Sequence, residues 1–95
     1  MMPFATIETD VEEEISLDIL LDRDKELILF NDPYNTFAFV IESLINVCKH
    51  DSIQAEQCTY IVHYNGQCSV KRGSVDKLKP MCVALLDRGL TAEIQ

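Results

Sequence analysis

Residues 30–39 read FNDPYNTFAF. Apolar residues stand on both sides, yet Asn31, Asp32, Pro33 and Asn35 between them are turn formers. Pro withholds a backbone donor, and Asn and Asp side chains bond the backbone of a turn instead of a ladder. One element must therefore stop near Phe30 and another start after Asn35. The run before the cluster, ELILF (26–30), is short and apolar, which suits a buried strand. The run after it, TFAFVIESLINVCK, carries Phe37, Val40, Ile41, Leu44, Ile45 and Cys48 at three- and four-residue spacing. That is the stripe of an amphipathic helix. Asn35 is placed to cap it, its side-chain oxygen accepting an N–H of the first turn. The turn itself has two readings, a plain connector or polar side chains facing a ligand.

The rest of the chain repeats this logic. Asp51 with Gln54 reads as a capping box that opens a second helix, QAEQCTYIVHY, which Asn65 and Gly66 end. QCSVK alternates loosely as a second strand, and Gly73-Ser74 leads into a third helix with Leu78, Val83 and Leu86 apolar. Pro80 lies inside that pattern and predicts a kink or a delayed start. Gly89 stops the helix, and LTAEIQ supplies a last strand. The expected fold class is α+β: a small sheet of about three strands packed against three helices, in the order β-α-α-β-α-β. Ninety-five residues make one domain whose core is marginal, so most apolar residues are needed for folding.

Charge divides the chain. Residues 1–24 hold eight acids and one base, a net −7, while residues 25–95 hold eight acids and seven bases, a net −1. The expected organisation is an acidic, flexible N-terminal extension over 1–24 and a folded domain over 25–95. Within the extension, Ile15, Leu17 and Ile19 alternate as an edge strand or a docking segment would. A near-neutral domain lacks the basic face that nucleic-acid binding requires. No apolar run approaches the length of a membrane span, and the N-terminus does not read as a signal peptide, so a cytoplasmic protein is expected. Cys48, Cys58, Cys68 and Cys82 show no close pair of the kind zinc sites use, and each has apolar neighbours. They read as reduced and structural, with no metal and no cofactor.

The pattern FNDPYNTFAFVIESL, followed by QAEQCTYIVHYNG and a helix ending in RG, resembles the ClpS adaptor family from about Glu26 to the C-terminus. The resemblance implies a non-enzymatic adaptor that carries N-degron substrates to a AAA+ unfoldase–protease of the ClpA or ClpC type. An N-degron is a free α-amino group followed by a bulky apolar side chain. The amine, mostly protonated at neutral pH, needs acceptors, and the resemblance assigns Asn31, Asp32 and His63 to it. It assigns Asn35, Phe37, Val40, Thr59, Val62 and Leu90 to the side-chain pocket. From periodicity alone, Phe37, Val40, Thr59 and Val62 are core positions, and His63 near a helix end is one that caps carbonyls. Only their joint occurrence points to a site.

The chain departs from the family pattern at several positions. Pro33 stands where a second acid is usual, leaving Asp32 as the single carboxylate. Phe37 and Thr59 stand where methionines are common, which predicts a reshaped pocket and a changed preference among Leu, Phe, Tyr and Trp starts. The third helix, which the family uses to dock on the unfoldase, keeps Asp76 but has Lys79 for an acid and Met81 for a lysine. Arg88-Gly89-Leu90 predicts a short link into the last strand. A monomer is expected, and the acidic extension would take part in substrate delivery or simply keep the protein soluble.

Two other classes compete. A Cys–His hydrolase would need a nucleophile signature, and none is present; Cys58 and His63, five residues apart, do not share a helical face. The second rival keeps the fold as a protein-interaction module that has lost N-degron binding. An open pocket beside Asn31, Asp32 and His63 favours the adaptor, and a filled one favours the module.

Overall fold

A computed structural model of the chain describes residues 23–95. The expected extension over 1–24, with its alternating Ile15, Leu17 and Ile19, lies almost wholly outside the described residues. The elements run β1 (Lys25–Phe30), α1 (Phe37–Cys48), α2 (Ser52–Asn65), β2 (Gln67–Gly73), α3 (Val75–Asp87) and β3 (Thr91–Ile94). This is the expected α+β order. The sheet is antiparallel throughout, with β1 in the middle in the order β2-β1-β3.

Central position explains the composition of β1. Leu27 and Leu29 join the main core with Val70 of β2 and Ala92 of β3, while Ile28 between them is also buried. A strand covered on both faces reads as a continuous apolar run rather than an alternating one. A bulge at Leu27/Ile28 shifts the register against β2, and Phe30 pairs with Gln67 on one side and Thr91 on the other. The end of β1 is thereby held from both edges where the turn cluster begins.

The helices contribute the other half of the core. Leu44 and Cys48 of α1, Ala55, Cys58 and Val62 of α2, and Leu78, Cys82 and Leu85 of α3 meet the inner face of the sheet. Ser43 is fully buried, a position the apolar stripe does not mark. Its hydroxyl accepts a hydrogen bond from Arg88 Nη1 at 3.1 Å, and the Arg88 guanidinium lies 5.8 Å from the Phe39 ring centroid. Arg88 so ties the end of α3 to α1. His50, between α1 and α2, is also buried; its Nε2 donates to the Val70 carbonyl at 2.6 Å and fastens that loop to β2.

Three local expectations meet different outcomes. Asp51 caps α2, accepting from Gln54 N at 2.7 Å, and Gly66 ends it with φ 92°. Asn35 does not cap α1: Thr36 does, its hydroxyl accepting from Phe39 N at 3.1 Å. Two competent caps stand side by side in the sequence, and Asn35 is drawn elsewhere by Asp32. Pro80 does not delay α3, which starts at Val75 after its Ser74 cap and runs through Pro80 as its sixth residue. The missing N–H costs one intrahelical bond, while Leu78, Cys82 and Leu85 hold the helix to the core on both sides of it.

Candidate functional site

Five segments meet around one open cavity of about 230 Å³: the end of β1, the loop that follows it, the first turns of α1, the second half of α2, and the link from α3 to β3. Clefts for drug-sized ligands are larger, roughly 300–1,000 Å³, so this one suits a single bulky side chain. All nine residues expected at the site line it: Asn31, Asp32, Asn35, Phe37, Val40, Thr59, Val62, His63 and Leu90. Leu29, Phe30 and Pro33 line it as well. Sequence reasoning gave Leu29 and Phe30 to the strand and Pro33 to the turn, although their position within two residues of Asn31 or Asp32 was the available signal.

The loop is built around Asp32. Its Oδ1 accepts from the backbone N–H groups of Tyr34 at 2.8 Å and Asn35 at 2.9 Å, and its Oδ2 accepts from Asn35 Nδ2 at 2.9 Å. Partial burial alone would raise the carboxyl pKa, but the hydrogen bonds from Asn35 and Tyr34 outweigh it and lower the pKa below the ordinary value. Two carboxylate oxygens offer about four acceptor sites, so three bonds leave capacity for one more donor. Asn35 Nδ2 also donates to the Gly89 carbonyl at 3.0 Å, which joins this loop to the α3–β3 link. Asn31 N donates to the Gly66 carbonyl at 2.9 Å and joins the loop's start to the end of α2. Turn chemistry and site geometry are therefore the same set of bonds.

The walls are apolar. Val62 and Leu90 are 4% exposed, and Phe37 and Val40 are half-buried. Thr59 is buried, and its hydroxyl donates to the Ala55 carbonyl at 2.7 Å, which spends its proton within the helix. That wall brings no free donor to the cavity. Phe37 leaves the cavity open, standing edge-on to Tyr60 with ring centroids 4.8 Å apart and to His63 at 5.6 Å. His63 is solvent-exposed, one residue past the buried Val62, so its ring stands at the mouth and not in the core.

Other candidate groups lie apart. Asp76 and Lys79 are exposed on α3, whereas Met81 is half-buried and packs against the core. Cys48, Cys58 and Cys82 are buried and Cys68 is half-buried, all as free thiols. Burial pushes the Cys48 thiol up to about 11 and Cys68 up to about 12, and it raises Cys82 as well. Such thiols hold little of the nucleophilic thiolate at neutral pH. Among the described residues no cluster of His, Cys, Asp and Glu is arranged to hold a metal ion, and no helix is long and apolar enough to cross a membrane.

Comparison with known proteins bears on this geometry. The family model for the ATP-dependent Clp protease adaptor protein ClpS matches residues 22–93. The ATP-dependent Clp protease adapter protein ClpS of Clostridium acetobutylicum is 38% identical over 63 residues, which span 64% of this chain and 62% of that relative's length. The structure of Agrobacterium tumefaciens ClpS2 bound to L-phenylalaninamide matches with a TM-score of 0.67 over 78% of this chain and 96% of that one. At 20% identity, that match is a likeness of fold.

Proposed function

The chain belongs to the ClpS family of ATP-dependent Clp protease adaptor proteins, and from that membership we propose that it binds the N-termini of protein substrates that begin with a bulky hydrophobic residue. The observation that carries the reading is the open, apolar-walled cavity with amine acceptors at its mouth. Asn31 Oδ1, the spare capacity of the Asp32 carboxylate and a neutral His63 nitrogen take the protonated α-amine. Phe37, Val40, Thr59, Val62 and Leu90 take the first side chain, and Asn35 holds the Asp32 loop to Gly89. A ClpS2 relative of similar fold binds L-phenylalaninamide, which combines a free α-amine with a benzyl side chain.

The energetics favour a site that demands both halves of the ligand. Hydrogen bonds to a charged group contribute roughly 1.5–3 kcal/mol each, and burying a Leu- or Phe-sized side chain contributes about 1.5–3 kcal/mol. Association entropy consumes several kcal/mol, so neither half alone binds tightly. An internal leucine offers no amine and is ignored. No step here makes or breaks a covalent bond, which agrees with a family of adaptors rather than enzymes.

The bound substrate would pass to an unfoldase of the ClpA or ClpC type in the cytoplasm, with the adaptor acting as a monomer. The exposed Asp76 and Lys79 on α3 would contribute to docking and would select a partner of matching charge. The open cavity argues against an interaction module that has lost its ligand. Titration against labelled peptides that differ only at the first residue (Leu, Phe, Tyr, Trp, Ile, Val, Arg) tests the reading, with acetylated Leu and Phe peptides as controls. Binding of the bulky hydrophobic starts, lost on acetylation, is the expected result. Equal or absent binding across the set would refute it.

A further inference from the structure

Outside the cavity, the outward side of α2 carries two exposed tyrosines, Tyr60 at 46% and Tyr64 at 75%. They stand one helical turn apart with their rings parallel, 4° between planes and centroids 6.1 Å apart. Core packing accounts for Ala55, Cys58, Thr59 and Val62 on the inward side of this helix, but it does not account for stacked rings in water. The pair is not isolated. Phe37, a wall of the cavity, packs edge-on against Tyr60, and His63 at the mouth packs edge-on against Tyr64 at 5.0 Å. The ledge is thus continuous with the cavity mouth.

We propose that the Tyr60–Tyr64 ledge is a second subsite that receives an apolar or aromatic side chain at the third residue of the substrate whose first residue fills the cavity. The inference rests on the reading of the cavity as an N-terminus site. Its register follows from strand geometry. An extended peptide rises 3.3–3.4 Å per residue and turns successive side chains to opposite sides. With the first side chain in the cavity, the second faces away from the protein. The third returns to the same side about 6.7 Å further on. The amine is anchored beside Asn31 and His63, and the ledge adjoins both His63 and Phe37, so a chain that leaves over it passes Tyr60 and Tyr64. Tyr60 lies 4.8 Å from Phe37 and Tyr64 lies 5.0 Å from His63, measured between ring centroids. The third side chain, which turns back to the protein about 6.7 Å from the first, reaches either ring, and the second, which faces away, does not.

The experiment compares three dye-labelled peptides on the full chain: Leu-Ser-Ser-Ser-Lys as reference, Leu-Ser-Phe-Ser-Lys and Leu-Phe-Ser-Ser-Lys. Phe at the third position should bind about three- to tenfold tighter than the reference, the range of one aromatic contact. Phe at the second position should gain little. The third-position gain should vanish in a Tyr60→Ala/Tyr64→Ala double variant and persist in Tyr60→Phe, each gain being measured against the reference peptide on the same variant. A flat third-position response with the reference still bound would overturn the ledge and leave the cavity reading intact. A gain that survives the double variant, or that belongs to the second position, would overturn it too. Failure of the reference peptide to bind would overturn both.

Discussion

Asp32→Asn separates the two duties of one carboxylate. In the loop, Asp32 Oδ1 serves two backbone N–H groups and Oδ2 serves the Asn35 amide. Asn at this position keeps one oxygen for the backbone pair and sets an NH₂ group against Asn35 Nδ2, donor facing donor. Flipping the amide is worse, because two backbone bonds are lost instead of one. The expected cost in stability is one hydrogen bond, about 1–2 kcal/mol. The two bonds on Oδ1 leave the spare acceptor site on Oδ2, and the variant's NH₂ group stands there instead, so the charge-assisted bond to a substrate amine, roughly 1.5–3 kcal/mol, is lost. Affinity for a Leu-starting peptide should therefore fall about ten- to a hundredfold at pH 7. The pH profile carries a second signature. The folded-state pKa of Asp32 lies below the ordinary 3.8, so its stabilising contribution is present above that value and is lost as pH falls through the folded pKa. The Asp32-linked part of wild-type binding should decline in that acid range, and binding should fall again above the amine pKa of about 8. Asp32→Asn should lose the carboxylate-linked part of the acid decline and keep the alkaline one. Fluorescence anisotropy across pH, with thermal denaturation in parallel, reads both. If Asp32→Asn lowers the melting temperature yet binds within twofold of wild type, the carboxylate only braces the loop and its assignment to the amine is refuted.

Two further substitutions probe the same architecture. Thr59→Met places a longer side chain on the cavity wall; Phe, Tyr and Trp starts should lose tenfold or more relative to Leu, at an overpacking cost of about 1–3 kcal/mol, and unchanged relative affinities would show that this wall does not bound the ligand. Gly66→Ala meets no atom within 4 Å, but its φ of 92° is a left-handed conformation, so the cost of about 1–2 kcal/mol is pure backbone strain. Because the Gly66 carbonyl accepts from Asn31 N, a weaker affinity for Leu-starting peptides should accompany the lower melting temperature, and full retention of affinity would show that the α2 terminus does not hold the amine site.

Local signals carried much of the fold. The turn cluster after ELILF, the stripe in α1, the Asp51 cap and Gly66 each act through neighbours a few residues away, so they were legible from spacing. The failures were contests between local alternatives. Asn35 and Thr36 are both competent caps, and the choice went to Thr36 because Asn35 is held by Asp32 and by Gly89, 54 residues away. Ser43, outside the apolar stripe, is buried with a partner that Arg88 supplies across 45 residues. Pro80 looked like a breaker, but the core contacts of α3 outweigh one missing bond.

The site shows the same division. The sequence by itself determined the residue types, their order and the turn that must separate β1 from α1, because turn formers and apolar periodicity act within a few bonds. Resemblance to a family, not periodicity, named the residues of the pocket; by spacing alone Phe37, Val40, Thr59 and Val62 are indistinguishable from core. Only the tertiary structure decided that a cavity remains open among them, that Thr59 turns its proton back to Ala55, and that Tyr60 and Tyr64 continue the mouth as a ledge. Open volume is what is left when segments distant in sequence have packed, and no local pattern encodes it.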